Sequence, residues 1–200
     1  MSESNSKQIL VSILGVAILV VALVGISFAA FTYSKTGTKV NTVTTGTITM
    51  SYSEPSSGIT LTDALPMTDD LGKKLTGTNN TFDFTVATTV QGTATINYAV
   101  TASVDSASSA LNSGIKVYLT SEDDKNVVLE PTLVSNLTAT SSSEASGAPS
   151  GQFILKSGST KSSISTSYRL RMWVADTYSN TSTKQTYKLR VNVYGKANAQ

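Results

Sequence analysis

Apolar residues fall along this chain in two regimes. From Ile9 to Phe31 they form one uninterrupted run of about 23 residues with no charge and no proline. That meets the ~20 residues a helix needs to cross a bilayer and exceeds the roughly 7–15 of a signal-peptide core. Beyond Val40 the pattern changes to apolar and polar residues in alternation, the period of a strand with one buried face. Thr42 to Tyr52 places Val43, Ile48, Met50 and Tyr52 inward, with Gly46 at a bulge. Ile59 to Leu65 predicts a short edge strand ended by Pro66. Thr81 to Thr89 puts Phe82, Phe84 and Val86 on one face. Ala94 to Val104 puts Ile96, Tyr98, Val100, Ala102 and Val104 on one face and Thr95, Asn97, Thr101 and Ser103 on the other. Further strands are predicted over Ile115 to Thr120, Asn126 to Glu130, Gln152 to Lys156, Ser167 to Asp176 and Thr186 to Gly195.

The intervening stretches predict how these strands connect. Gln91-Gly92 is short enough for a hairpin, and Ser121 to Lys125 predicts a second one, its carboxylates acting as turn formers at a solvated tip. Pro131 to Leu137 predicts a short helix, and Thr138 to Gly151, rich in Ser, Ala and Gly, a flexible surface loop. The expected fold is all-β: an antiparallel β-sandwich, residues 31–200 forming one domain, behind an amino-terminal hydrophobic helix, residues 1–30, that is either a signal peptide or a transmembrane anchor. With Lys7 and the amino end inside, everything from Tyr33 onward lies outside the cell, secreted or at the cell surface. The register implies that Val100→Asp costs several kcal/mol whereas Thr101→Asp is mild.

Composition narrows the function classes. The 200 residues carry 15 Lys plus Arg against 13 Asp plus Glu, which gives no electrostatic footprint for nucleic acid. Cysteine and histidine are both absent, which removes disulfides, the usual zinc ligands, the usual general base and the Ser-His and Cys-His nucleophile pairs. Asp63, Asp69 and Asp70 do not have the spacing of a calcium loop and are read as a solvated loop. No metal, no cofactor and no enzymatic activity are expected. Sequons stand at Asn79, Asn136 and Asn180, as a Ser/Thr-rich chain generates by chance.

One candidate binding face depends on pairing between the last two predicted strands. In Ser167 to Asp176, Tyr168, Leu170, Met172 and Val174 face one way; in Thr186 to Gly195, Tyr187, Leu189, Val191 and Val193 do. If the two strands are neighbours, their other face gathers Arg169, Arg171, Lys188 and Arg190 around Trp173 and Tyr194. Such a face can take an acidic polymer, a sugar or a neighbouring subunit through cation–π contacts. It can equally be a solvated face whose Arg stems cover the aromatics.

The junction between the two regimes carries a family resemblance. Gly25-Ile-Ser-Phe-Ala-Ala-Phe31-Thr-Tyr-Ser-Lys35, then Asn41-Thr-Val-Thr-Thr-Gly46-Thr-Ile-Thr-Met50, resembles the start of the TasA/camelysin family. This sequence departs from the family pattern in having Lys7 as the one lysine of its leading segment and Tyr33 where the family has Asp. The resemblance implies cleavage between Ala30 and Phe31 by a SipW-type signal peptidase, and a jelly-roll topology, since alternation alone cannot order strands. It also implies a structural subunit of an extracellular fibre, biofilm matrix or surface layer. The physical route is donor-strand addition, in which residues 31–51, with Phe31, Val40, Val43, Ile48 and Met50, complete the sheet of the next copy in a filament. Camelysin-like relatives have been labelled metalloproteases, but a chain without histidine cannot build an H-E-x-x-H site. If residues 9–31 stay in the membrane instead of being cleaved, the alternative is a monomeric, single-pass surface domain that binds glycan or protein.

Overall fold

The computed structural model describes residues 16, 32–36, 41–45, 48–54, 58–77, 80–90, 94–109, 112–179 and 185–198. The apolar run 9–31 lies outside these residues except for Val16, which is helical. So do Ala30, Phe31, Val40, Asn79 and Asn180.

The described residues form eleven strands, all but the first in segments that alternate: β1 (Thr32–Thr36), β2 (Asn41–Thr45), β3 (Ile48–Ser53), β4 (Thr60–Thr62), β5 (Thr81–Val90), β6 (Thr95–Val104), β7 (Ile115–Ser121), β8 (Val127–Leu133), β9 (Phe153–Thr160), β10 (Ile164–Val174) and β11 (Thr186–Asn198). They form two sheets in which every strand pair is antiparallel. Sheet I has the order β1-β11-β6-β9, with β4 also paired to β11. Sheet II has the order β2-β3-β5-β10-β7-β8. The only helix in these residues beyond 3-10 turns and Val16 is one turn, Asp69–Gly72.

The core lies between the sheets and is built from the residues that alternation selects. Sheet II contributes Met50, Tyr52, Phe82, Phe84, Val86, Val117, Leu119, Tyr168, Leu170 and Met172; sheet I contributes Ile96, Tyr98, Val100, Ala102, Val191 and Val193. Phe84 is the hub of an aromatic cluster, its ring centroid 5.9 Å from Tyr52, 5.8 Å from Phe82 and 5.4 Å from Tyr168. Each such pair adds about 0.5–1.5 kcal/mol beyond its buried area. The sheets meet closely where Gly195 faces Met50: a Cβ on that glycine would lie 1.9 Å from the Met50 sulfur, so β11 needs glycine there.

Four local expectations are corrected. The strands on either side of Gln91-Gly92 are not a hairpin, because β5 belongs to sheet II and β6 to sheet I. The segment Thr42 to Tyr52 is two strands, β2 and β3, paired antiparallel with Thr45 opposite Ile48. Pro131 does not start a helix: it lies in β8, in a bulge where Glu130 and Pro131 oppose Tyr118, and only Val134–Asn136 winds into a 3-10 turn. The Ser/Gly-rich segment before β9 is a tethered loop. Its Thr140 amide and carbonyl bond the Gln152 carbonyl (2.7 Å) and the Gly151 amide (2.9 Å), and Thr140, Ser146 and Ala148 are buried. The loop has few apolar residues, but its own backbone and hydroxyl groups satisfy one another, and this holds it together.

Candidate functional site

The predicted assembly segment is divided among three strands. β1 lies on the outside of sheet I, with β11 its one partner strand among the described residues; Thr32 stands opposite Lys196 and Thr36 opposite Asn192. β4 occupies the same edge of β11 further back, since the Thr186 and Lys188 carbonyls on the other edge accept from Ser109 and Asp105. Val43 lies in β2, the outermost strand of sheet II, and Ile48 in β3, between β2 and β5. Met50 and Tyr52 are fully buried in the molecule's own core.

The six residues of the predicted binding face do not share one. β10 and β11 are in opposite sheets, so Arg169, Arg171 and Trp173 lie on the outer side of sheet II, and Lys188, Arg190 and Tyr194 on the outer side of sheet I. Period-two alternation assigns each strand a face but says nothing about its neighbour. Both outer sides are also covered at these positions. Trp173 is 0% exposed and Arg171 2%. The Asp69–Gly72 turn lies on the indole so closely that a Cβ at Gly72 would come within 2.3 Å of Trp173 Cε2. The indole N–H finds no acceptor among the described residues.

Beside Trp173 the outer side of sheet II carries a chain of charges that the sequence does not reveal. Arg169 grips Asp83 with two bonds, Nε to Oδ1 (2.9 Å) and Nη2 to Oδ2 (2.8 Å), and reaches Asp124 Oδ2 through Nη1 (3.0 Å). Arg171 grips Asp124 in the same two-pronged way at 2.7 and 2.8 Å, and its Nε donates to the Leu75 carbonyl (2.7 Å). Asp124 thus stands at the exposed tip of the β7–β8 hairpin, as expected, but its carboxylate is held by the two arginines of β10. Its backbone is left-handed (φ 60°), a conformation that Asp tolerates better than most residues. Asp69 bonds Lys116 (2.7 Å), and Lys73 bonds Glu130 (3.0 Å) while standing over the Tyr118 ring. The segment leading into β5 is thus fastened to the sheet by ion pairs along its length, with opposite charges in balance. No signal in the sequence pairs residues so far apart.

On sheet I, Tyr194 is buried and its hydroxyl accepts from Gln152 Nε2 (2.7 Å). Gln152 Oε1 accepts from Thr101 and from Asn192 (3.1 Å), so one amide knits β6 to β11 across the outer side. Arg190 remains half exposed and pairs with Asp105 (2.9 Å).

These contacts set a pH dependence. Hydrogen bonds from Arg171, with Thr120 and Arg169 adding, hold the Asp124 carboxyl far below the usual range against the opposing effect of burial. The Ser121 hydroxyl, then Lys125, push Asp123 down to about 2. A carboxyl depressed on folding stabilises the native state above its unfolded value, about 3.9, and that contribution is lost as pH falls through the folded value. The urea midpoint should therefore be level between about pH 5 and about pH 9 and fall below about pH 4, with a shallower fall in Asp124→Asn. An identical acid limb in the two proteins would contradict the assignment.

No metal-ligand cluster of three or more carboxylates occurs among the described residues. No protein-family model matches this sequence, and no curated protein matches it.

Proposed function

We propose that the chain is an exported structural subunit with jelly-roll topology, which assembles into an extracellular fibre, biofilm matrix or surface layer by giving its first strand to the next copy. Strand pairing supports the topology. Among the eight strands β1, β5, β6, β7, β8, β9, β10 and β11, the first pairs with the eighth, the second with the seventh, the third with the sixth and the fourth with the fifth. That is one long antiparallel ribbon rolled into two sheets, the plan of a double Greek key. The β2–β3 hairpin and β4 are additions at its edges.

The observation that carries the assembly reading is the division within residues 31–51. β1 is the first strand and sits outermost on β11, whereas β3 is built into the core through Met50 and Tyr52. β1 is the part that can be exchanged. The backbone bonds it makes to β11, about 0.5–1.5 kcal/mol each, are replaced one for one by the same strand of a neighbour. Met50, in contrast, stays with its own subunit. No catalytic residue is needed.

Deleting residues 31–40 should leave a folded, soluble monomer with an open β11 edge. Such a molecule accepts a strand but has none to give, so a substoichiometric amount added to the mature protein should shorten the fibres. Electron microscopy and analytical ultracentrifugation read both effects. A mature chain that stays monomeric at high concentration, at neutral and mildly acidic pH and with seeds present, sinks the reading; an anchored surface domain then takes its place.

A further inference from the structure

We infer that residues 63–77 form a strap that lifts off the outer side of sheet II as one unit while the sandwich beneath it stays folded. The strap runs from the end of β4 to the turn before β5 and touches β10, β7 and β8 on its way. Both of its ends have left-handed backbone, Asp63 at φ 48° and Gly77 at φ 88°. The chain is anchored at the same two places: the Asp63 amide bonds the Gln185 carbonyl (3.0 Å), and the Gly77 carbonyl accepts from the Asn80 and Thr81 amides (both 3.0 Å). Fixed ends with such a position at each are where a hinged segment takes up its change in φ and ψ.

Between these ends the strap gives the core almost nothing. Gly72 is its one buried residue, and Leu65 and Leu71 are exposed. The middle is held by the Met67 N–H on the Val174 carbonyl (3.0 Å), by the Leu75 carbonyl on Arg171 Nε (2.7 Å) and by the ion pairs Asp69–Lys116 and Lys73–Glu130. The acidic partners of those pairs are 40% and 66% exposed, and pairs so open to water hold weakly and are screened by salt. A segment with few buried apolar side chains and solvated bonds opens ahead of the whole domain. Trp173 adds a reason to open: its indole N–H is buried without an acceptor among the described residues, and lifting the strap lets water supply one. The strip beneath is basic and aromatic, with Trp173 opposite Lys116 and Arg171 opposite Tyr118 across the β7–β10 ladder. Closed, the strap balances its charge; open, Lys116 loses Asp69 and stands beside a bare indole, a surface suited to an acidic group.

The test is hydrogen exchange of the full chain in detergent micelles, read by mass spectrometry. Segment 64–76 should exchange at least tenfold faster than segment 96–104 of β6, at a rate that low urea does not raise, as local opening requires. The chain has no cysteine, so Met67→Cys with Ala175→Cys can form one disulfide across the bridge that joins the strap to the residue after β10. Oxidised, segment 64–76 should exchange at least tenfold more slowly than reduced. Gly72→Ala works in the other direction, because its methyl would lie 2.3 Å from Trp173 Cε2 and must push the strap off the ring. Trp173 is the one tryptophan of the chain, so its emission should shift to the red in that variant while exchange in 96–104 stays as in the native protein. Two segments that exchange together with one urea dependence, oxidised and reduced forms that exchange alike, or a Gly72→Ala protein with native emission or with exchange raised equally in both segments overturns the inference.

Discussion

Val100→Asp should leave the domain largely unfolded without denaturant, and Thr101→Asp, although it sits on the opposite side of the same strand, should also be costly. Val100 is 0% exposed between the sheets; Lys156 stands opposite it at the partly exposed β9 edge, but the core residues around it are all uncharged. An unpaired carboxylate there costs several kcal/mol, a large part of the roughly 5–15 kcal/mol that holds a domain together. Thr101 is 0% exposed as well, and its hydroxyl donates to Gln152 Oε1. An aspartate would turn an acceptor toward that acceptor and lose contact with water, a cost of about 1–3 kcal/mol or more for a charged group. Asn97→Asp is the control, since Asn97 is half-buried and lies opposite Lys196, where a negative charge is welcome. Urea midpoints for the three variants decide the matter. A Thr101→Asp protein as stable as Asn97→Asp would show that sheet I is wet on its outer side after all.

Asp124→Ala should cost more than Arg171→Met, although the two side chains hold each other. Removing Asp124 strands a guanidinium whose side chain is 3% exposed, with the Leu75 carbonyl and the Thr120 hydroxyl as its remaining acceptors. Uncompensated buried charge of this kind costs about 3–5 kcal/mol, and alanine at a left-handed backbone adds about 1 kcal/mol. Removing Arg171 leaves Asp124 41% exposed and still bonded to Arg169, so water and a second cation take up its charge. Methionine also keeps much of the apolar packing against Tyr118. That loss should be nearer 1–3 kcal/mol. Equal midpoints for the two variants, or a larger loss in Arg171→Met, would mean that the guanidinium reaches solvent.

The inward faces of the strands were legible because each alternates for long enough to fix its parity. Phe82, Phe84 and Val86, Ile96 to Ala102, and Tyr168 to Val174 all point where their spacing says. What spacing cannot supply is a neighbour. Ser167 to Asp176 and Thr186 to Gly195 look like the two halves of a hairpin, yet they lie in opposite layers, and the basic aromatic face that their pairing would make does not exist. Nor does alternation show that a polar face is covered. Arg171, Trp173, Thr101 and Tyr194 sit at outward positions and are buried because other segments lie over them, held by ion pairs and amides from residues distant in the chain. The amino-terminal run and its Ala30–Phe31 junction lie outside the described residues and stand on the sequence alone.

The edge at β8 limits the forms that association can take. Its ladder with β7 slips twice, and Pro131, which has no N–H to offer, sits in one of the two irregularities next to Glu130. A strand that is kinked, charged and missing a donor is a poor template for another strand. Sheet II is thus sealed on that side, and if copies exchange strands at the β11 edge as proposed, β8 offers nothing comparable to branch from. Growth on the proposed plan would then run as a thread on that side, without side branches from β8.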